Sequence, residues 1–411
     1  MKIIHISDLH LGQILYQNYE RSDEHDAFFD QLEELCQAKQ PDLLLISGDV
    51  FDIQQPSAAV WRYFTDHFVR LHHLVPSMQT VIVAGNHDSP SRLHAHRKVW
   101  QEIGTRIVAL PPQTDALGSP SGWEDDFIIE LESGFIVAIP FMPSERPEIL
   151  QHLLDCVALR NAGEKPVVMT GHLAATGCDL TGHDFDIGRL RTVSLQQLGE
   201  GYDYLALGHI HKPQTLGHEE DSFETTVSYP APVARYSGSV LHVSCDEAYP
   251  HSVSEVDIAE HGGMVDITLH RIKQLRHFHT LPPSGESPFD NAEKALQSLD
   301  AFASGGGKGY VRFRLCREVV LPSDFSQKVY DIIERHGGEV RYNPRIDWVG
   351  SQPGREENAD PSGFEVAELQ QMTDPLQFIE RTIDRYPGLD ITDLRDAFRE
   401  IADYLRQNGE K

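Results

Sequence analysis

Five short segments hold the side chains that could do chemistry: Asp8-Leu9-His10, Gly48-Asp49, Gly85-Asn86-His87-Asp88, Gly171-His172 and Gly208-His209-Ile210-His211. Imidazole, carboxylate and amide oxygen are donors for divalent cations. Cleaving a phosphoester in water requires a strong nucleophile near neutral pH and neutralised charge on the non-bridging and leaving oxygens. Two divalent ions about 3.5–4 Å apart do both. A carboxylate shared between the ions fixes that distance, and Asp49 is the candidate bridge, with Gly48 letting the backbone turn tightly before it. Asp8 and His10 alternate across one residue, so at the fraying end of a strand both can turn onto one ion, and His209 and His211 repeat the arrangement. Asn86 is a ligand candidate through its amide oxygen. Its neighbour His87 can reach the substrate side as general acid or transition-state stabiliser. Asp88 is the candidate acceptor that orients His87 or a ligand. The mixed donor set favours manganese, iron or zinc over magnesium, and manganese is the expected ion.

These segments need a scaffold that brings them together. Each follows or ends a short apolar run of strand type: residues 2–7, 42–47, 80–84, 166–170 and 202–207. In a layered α/β protein, residues just past the carboxyl ends of parallel strands meet on one rim. Asp-x-His or Gly-His alone is a weak signal, whereas all five segments in order, each after such a run, are not supplied by chance. His67, His72, His73, His94 and His96 fall on helical stretches without matching acidic residues and are assigned to solvated faces or packing.

Strand-like runs alternate with amphipathic stretches such as 22–38 and 57–73 over residues 1–262, predicting an α/β domain of two packed sheets flanked by helices. The second sheet is expected to be partly antiparallel, drawing on 127–131, 135–139, 225–229, 251–258 and Met264–Arg271. Residues 263–350 read as a small α/β capping domain of βαβαβ pattern. Its Ser304-Gly-Gly-Gly-Lys-Gly309 tip lacks phosphate-loop spacing and precedes a strand, so it reads as a flexible turn. A polar linker spans 351–363, and a helical tail follows at 364–411. In the tail, Leu394, Phe398, Ile401 and Leu405 form an apolar seam that packs either on its own domain or on a partner's helices; the linker favours the partner.

At 411 residues the chain can form one large and one smaller domain, each with its own core. The longest apolar stretch, 135–142, is far short of the roughly 20 residues of a membrane helix. No cleavable leader is expected because Asp8 and His10 fall inside the first strand and turn, so a cytoplasmic location is expected. Cys36, Cys156, Cys178, Cys245 and Cys316 are odd in number and form no CxxC pair, which argues against a disulfide framework or structural zinc. A formal net charge of −28 excludes a general basic footprint. Bound nucleic acid would need local counter-charge from metals, a few Arg and Lys, or a basic partner.

The ordered set D-x-H, GD, GNHD, GH and GHxH resembles the calcineurin-like metallophosphoesterase superfamily. Its flanks, Ser7-Asp-Leu-His-Leu-Gly12, Gly48-Asp-Val-Phe-Asp52 with Pro56-Ser57, and Ala206-Leu-Gly-His-Ile-His211, resemble the SbcD family of bacterial nuclease subunits. So do Ser237-Gly-Ser239 and Ser244-Cys-Asp-Glu247, where Cys245 stands in the place usual for Phe, and residues 365–381 before the terminal helix. The resemblance implies a manganese-dependent exonuclease and endonuclease acting on double-strand DNA ends and hairpins, a homodimer bound to an SbcC-type ATPase in DNA repair and recombination. It implies one metal on Asp8, His10, Asp49 and His211, a second on Asp49, Asn86, His172 and His209, His87 as catalytic residue, and a tail docked on the ATPase. Two other readings fit the five segments: a phosphodiesterase or phosphatase for small substrates, and a DNA-end-binding scaffold whose metal site is structural.

Overall fold

The computed structural model describes residues 1–350 apart from 114–115, 119–121, 143–145, 163, 182–191, 219–221 and 248. The linker, the tail and its seam of Leu394, Phe398, Ile401 and Leu405 lie outside the described residues.

Runs such as Leu43–Ser47 are apolar up to their last residue and buried at every position, as strands covered on both faces must be. Lys2–Ile6, Leu43–Ser47, Gln79–Val83 and Thr105–Val108 pair in parallel in that spatial order. The free edge of Lys2–Ile6 is then taken by Ser252–Ile258, followed by Met264–Arg271 and Thr226–Pro230, all antiparallel, giving seven strands. A six-stranded sheet has the same plan. Phe135–Ala138, Val167–His172, Tyr204–Gly208 and Val233–Tyr236 form its parallel centre, with antiparallel Ile128–Glu130 and Gln214–Thr215 at the edges.

The sheets meet face to face across a buried polar seam. Ser47 Oγ lies 2.8 Å from Thr170 Oγ1 and 2.9 Å from His5 Nε2, while His5 Nδ1 lies 2.8 Å from the Tyr204 hydroxyl. Each of these buried polar groups has a partner, so the seam fixes the register of the two sheets without leaving a desolvated group unpaired. Outside the first sheet, Ser22–Lys39, Ala58–Leu74 and Pro90–Gln101 bury Phe28, Phe29, Leu32, Phe64, Phe68 and Trp100 in one cluster. Pro147–Asn161 buries Ile149, Leu153 and Val157 beside the second.

Two sequence expectations are corrected here. Residues 225–229 and 251–258 and Met264–Arg271 belong to the first sheet, not the second. Met264–Arg271 pairs with Ser252–Ile258 over seven residue pairs, so it is not part of a cap starting at 263. The physical reason is the vacant edge of Lys2–Ile6, which alternation within a strand does not reveal. The βαβαβ unit instead opens with Phe278–Leu281, continues through Ala292–Ser304, Gly309–Cys316 and Phe325–Arg335, and reaches Val340–Tyr342, with all three strands parallel. It buries its own core of Leu299, Val311, Phe313, Leu315 and Val329. Glu24, 1% exposed, ties it to the helix Ser22–Lys39: the Tyr310 hydroxyl donates to its Oε1 at 2.6 Å, Arg341 Nη1 does so at 3.2 Å, and Arg21 Nη2 donates to Oε2 at 2.7 Å. No helix among the described residues is long and apolar enough to cross a membrane.

Candidate metal centre

The five segments meet where the parallel strands end. Asp8, His10, Asp49 and His209 all adopt positive φ (52°, 47°, 49° and 93°), a conformation that costs a non-glycine residue free energy and persists only where neighbours enforce it. Here the first turn is zipped to the second: Asp8 N donates to Gly48 O, His10 N to Asp49 O and Leu11 N to Val50 O, at 2.9–3.1 Å. The Asp8 carboxylate accepts the His209 N–H at 3.1 and 3.2 Å, joining this pair of turns to the second sheet. Asp88 joins the third. Its carboxylate accepts the N–H groups of Gly85 (2.9 Å), Phe51 (3.0 Å) and Val50 (3.2 Å), so it braces the ligand-bearing turns and makes no bond to the His87 ring.

Two donor sets converge; they share Asp8, and Asp49 Oδ2 faces a histidine of each. Asp8, His10 and His211 offer atoms within 4.8 Å of one another, and so do Asp8, Asp49 and His172. His172 Nε2 lies 3.3 Å from Asp49 Oδ2 and 2.9 Å from Asn86 Oδ1, which is also 3.0 Å from His209 Nδ1. His10 Nε2 lies 4.0 Å from Asp49 Oδ2. The test of fit to cations is His10: the residue is 3% exposed, and its ring nitrogens face only carboxylates, Asp52 Oδ1 at 3.3 Å from Nδ1 and Asp49 Oδ2 at 4.0 Å from Nε2, without well-formed hydrogen bonds. Such a group is expensive to bury unless a cation takes its lone pair. The seven residues Asp8, His10, Asp49, Asn86, His172, His209 and His211 could therefore hold two divalent cations.

Neighbouring groups select which atom each ligand presents. His172 Nδ1 donates to Ser47 O at 2.8 Å, leaving Nε2 for the centre. His211 Nδ1 faces Glu247 Oε1 at 3.0 Å, likewise leaving Nε2. Sequence reasoning missed Glu247 as a partner, although the Ser244-Cys-Asp-Glu247 segment was the signal. It also missed Asp52, whose carbonyl accepts His87 Nδ1–H at 2.7 Å and whose Oδ1 lies 3.3 Å from His10 Nδ1. His87 itself is exposed, its ring 5.0 Å from that of His10 and its backbone N–H donating to Asp49 Oδ1 at 2.8 Å. His67 packs as expected, stacking on Phe29 with ring centroids 4.1 Å apart, but it does find an acidic partner: it pairs with Asp26 at 3.3 Å, because the preceding helix supplies the acid that its own helix lacks.

The electrostatics are those of buried carboxylates and imidazoles facing one another. Burial disfavours the protonated rings of His10 and His172, but nearby carboxylates win: Asp52, Asp49 and Asp8 push His10 up to about 9, and Asp49 pushes His172 up to about 9. Burial raises Asp49 too, yet His172, His10 and His87 hold it well below the usual carboxylate range. Asp88 is pushed up to about 6 by burial and by the charge of Asp49, and Glu247 to about 8 by burial. Burial lowers His211 to about 4. The protonated rings of His10 and His172 are thus favoured by the carboxylates of Asp8, Asp49 and Asp52.

Residues 1–213 match the calcineurin-like phosphoesterase family. The chain is 31% identical to the SbcD subunit of the nuclease SbcCD from Escherichia coli (strain K12) over 281 residues, 62% of this chain and 65% of that protein. It is 29% identical to the protein of the same name from Rhodobacter capsulatus over 330 residues, covering 73% and 76%, and 28% identical to that of Bacillus subtilis over 282 residues, covering 62% and 66%. The chain thus spans 65% of the length of the first of these relatives. Because the family match takes in more than half of the chain and every one of the five segments, this chain belongs to the calcineurin-like phosphoesterase family.

Proposed function

We propose that the chain is a metal-dependent DNA exonuclease and endonuclease that hydrolyses phosphodiester bonds at double-strand ends and hairpins, working with an SbcC-type ATPase in DNA repair and recombination. The observation that supports this most is the Asp49 carboxylate lying between two donor sets with the exposed His87 at their edge. In this reading Asp8, His10, Asp49 and His211 hold one ion, and Asp49, Asn86, His172 and His209 the other; the mixed nitrogen and oxygen donors suit manganese. Two divalent ions supply Lewis acidity toward the phosphoryl oxygens and an acidified water at neutral pH. The chain supplies the rest. Asp52 O holds His87 Nδ1–H, so when the ring is protonated Nε2 is the atom that can pass a proton to the leaving oxygen. Ser47, Glu247 and Asp88 keep the ligands aimed, which limits the rearrangement needed when substrate arrives.

The DNA substrate and the ATPase partner rest on the relatives, which by name are subunits of a nuclease complex. The apolar seam of the tail supports a docking role for it, and the motif flanks support a cytoplasmic homodimer. The test is a manganese-dependent assay of the full chain, alone and with its ATPase, on duplex ends, hairpins and a small phosphodiester. Degradation of DNA is expected. Hydrolysis of the small ester with DNA untouched under both conditions would replace this reading with a small-substrate phosphodiesterase, and inertness toward all three would leave a scaffold.

A further inference from the structure

A second set of metal-type side chains lies outside the centre described above. Glu124 sits in the short helix Trp123–Asp126, which leads into the edge strand Ile128–Glu130 of the six-stranded sheet. His152 and Cys156 are one helical turn apart on Pro147–Asn161, so they share a face. His152 Nε2 is 2.9 Å from Glu124 Oε1 and 3.7 Å from Cys156 Sγ, and the three donor atoms all lie within 4.8 Å of one another.

Three features distinguish this cluster from an ordinary ion pair or a nucleophilic triad. A triad needs the acid and the nucleophile on opposite ring nitrogens, so that one holds the base and the other yields its proton. Here carboxylate and thiol both crowd Nε2, where a single proton cannot serve both. The donors are also held in place from outside. The Gly122 N–H binds Glu124 Oε2 at 2.7 Å, leaving Oε1 to face inward, and Trp123 stacks on the His152 ring at 5.6 Å with 21° between planes. Finally, the spacing suits a small tetrahedral ion. Bonds of about 2.0–2.3 Å place neighbouring ligand atoms about 3.3–3.8 Å apart, within reach of the observed separations by rotamer adjustment alone.

We propose that Glu124 Oε1, His152 Nε2 and Cys156 Sγ form a separate site for a zinc-class transition metal, completed by a solvent ligand. One carboxylate, one imidazole and one thiolate match the borderline-soft preference of zinc and of cobalt(II) as its spectroscopic substitute. The ion staples the helix Pro147–Asn161 to the chain entering the sheet edge. Binding converts the Cys156 thiol to thiolate and releases its proton to solvent.

The test is titration of the full chain with cobalt(II), read by the thiolate-to-cobalt charge-transfer band in the near ultraviolet. The centre around Asp49 contains no cysteine, so its occupancy does not produce this band and the outcome is independent of the proposed nuclease function. Wild-type protein is expected to develop the band, and Cys156→Ala and His152→Ala to lose it together with one bound equivalent while keeping wild-type circular dichroism. Glu124→Gln, which retains the packing, should weaken cobalt binding at least tenfold. Absence of the band in wild type, or its survival in Cys156→Ala, overturns the proposal.

Discussion

Three motif glycines that look alike in sequence, Gly85, Gly171 and Gly208, should respond very differently to alanine. A Cβ at Gly85 would lie 2.1 Å from Asp49 Oδ1 and 2.3 Å from Asp49 N, and one at Gly208 would lie 2.0 Å from Ser47 O. The closest ordinary carbon–oxygen approach is about 3.3 Å, so Gly85→Ala must move Asp49 or its own turn by about 1.2 Å. A misplacement of about 1 Å costs roughly 100-fold in rate, or about 2.7 kcal/mol of activation free energy. Overpacking adds about 1–3 kcal/mol of lost stability. At Gly171 a Cβ meets only Leu173 Cδ2 at 3.5 Å and Ile139 O at 3.9 Å, so Gly171→Ala should stay within about 0.5 kcal/mol of wild type. The assay is kcat/KM on a small phosphodiester with manganese, alongside thermal melting and manganese titration. If Gly171→Ala were as damaging as Gly85→Ala, or Gly85→Ala were harmless, close backbone approach would not be what positions Asp49.

His87→Gln should lower kcat by about 100- to 10,000-fold while binding manganese with wild-type stoichiometry, because the Asp49 contact comes from the His87 backbone; loss of metal in this variant would reassign His87 as a ligand. Manganese affinity should rise between pH 6 and 8, since His10 and His172, pushed up to about 9, hold protons there that the ions must displace. Each proton released contributes up to about tenfold per pH unit, and a flat profile by titration refutes that competition. Glu247→Ala should weaken metal binding by about 10- to 100-fold by releasing the His211 ring, and unchanged affinity would leave Glu247 without an orienting role.

The convergence of the candidate ligands was legible because the parallel α/β layout gathers strand ends onto one rim, and each of the five strands announces itself by an apolar run followed by a donor. What sequence left open depends on pairings between distant segments. The edge of Lys2–Ile6 accepts Ser252–Ile258, yet the alternation of 252–258 is equally compatible with either sheet. His67 finds Asp26 only because two helices lie side by side. Charge and position in its motif put Asp88 near the metal site but do not say what it holds. Its three backbone N–H partners come from turns more than thirty residues apart as well as its own, a bracing role that becomes visible only when the turns are in place. The cluster of Glu124, His152 and Cys156 has no local signature beyond the i, i+4 pair on its helix.

The acidity of the chain places a requirement on the centre. A formal charge of −28 repels a polyanion, so attraction to a phosphodiester must be generated locally. Asp8, Asp49, Asp88 and Glu247 are each no more than 3% exposed, and burying carboxylates together is unfavourable unless cationic charge faces them. Protonated His10 and His172 provide some of that charge, at the expense of the ring nitrogens that a metal would use. Two divalent ions would release those protons and overcompensate the two carboxylates that face them directly, Asp8 and Asp49, leaving a local charge of about +2. The same ions would therefore relieve the buried repulsion of the fold and create a strongly electropositive spot from which an acidic protein could engage a phosphodiester, which binds stability, metal loading and substrate attraction to a single group of side chains.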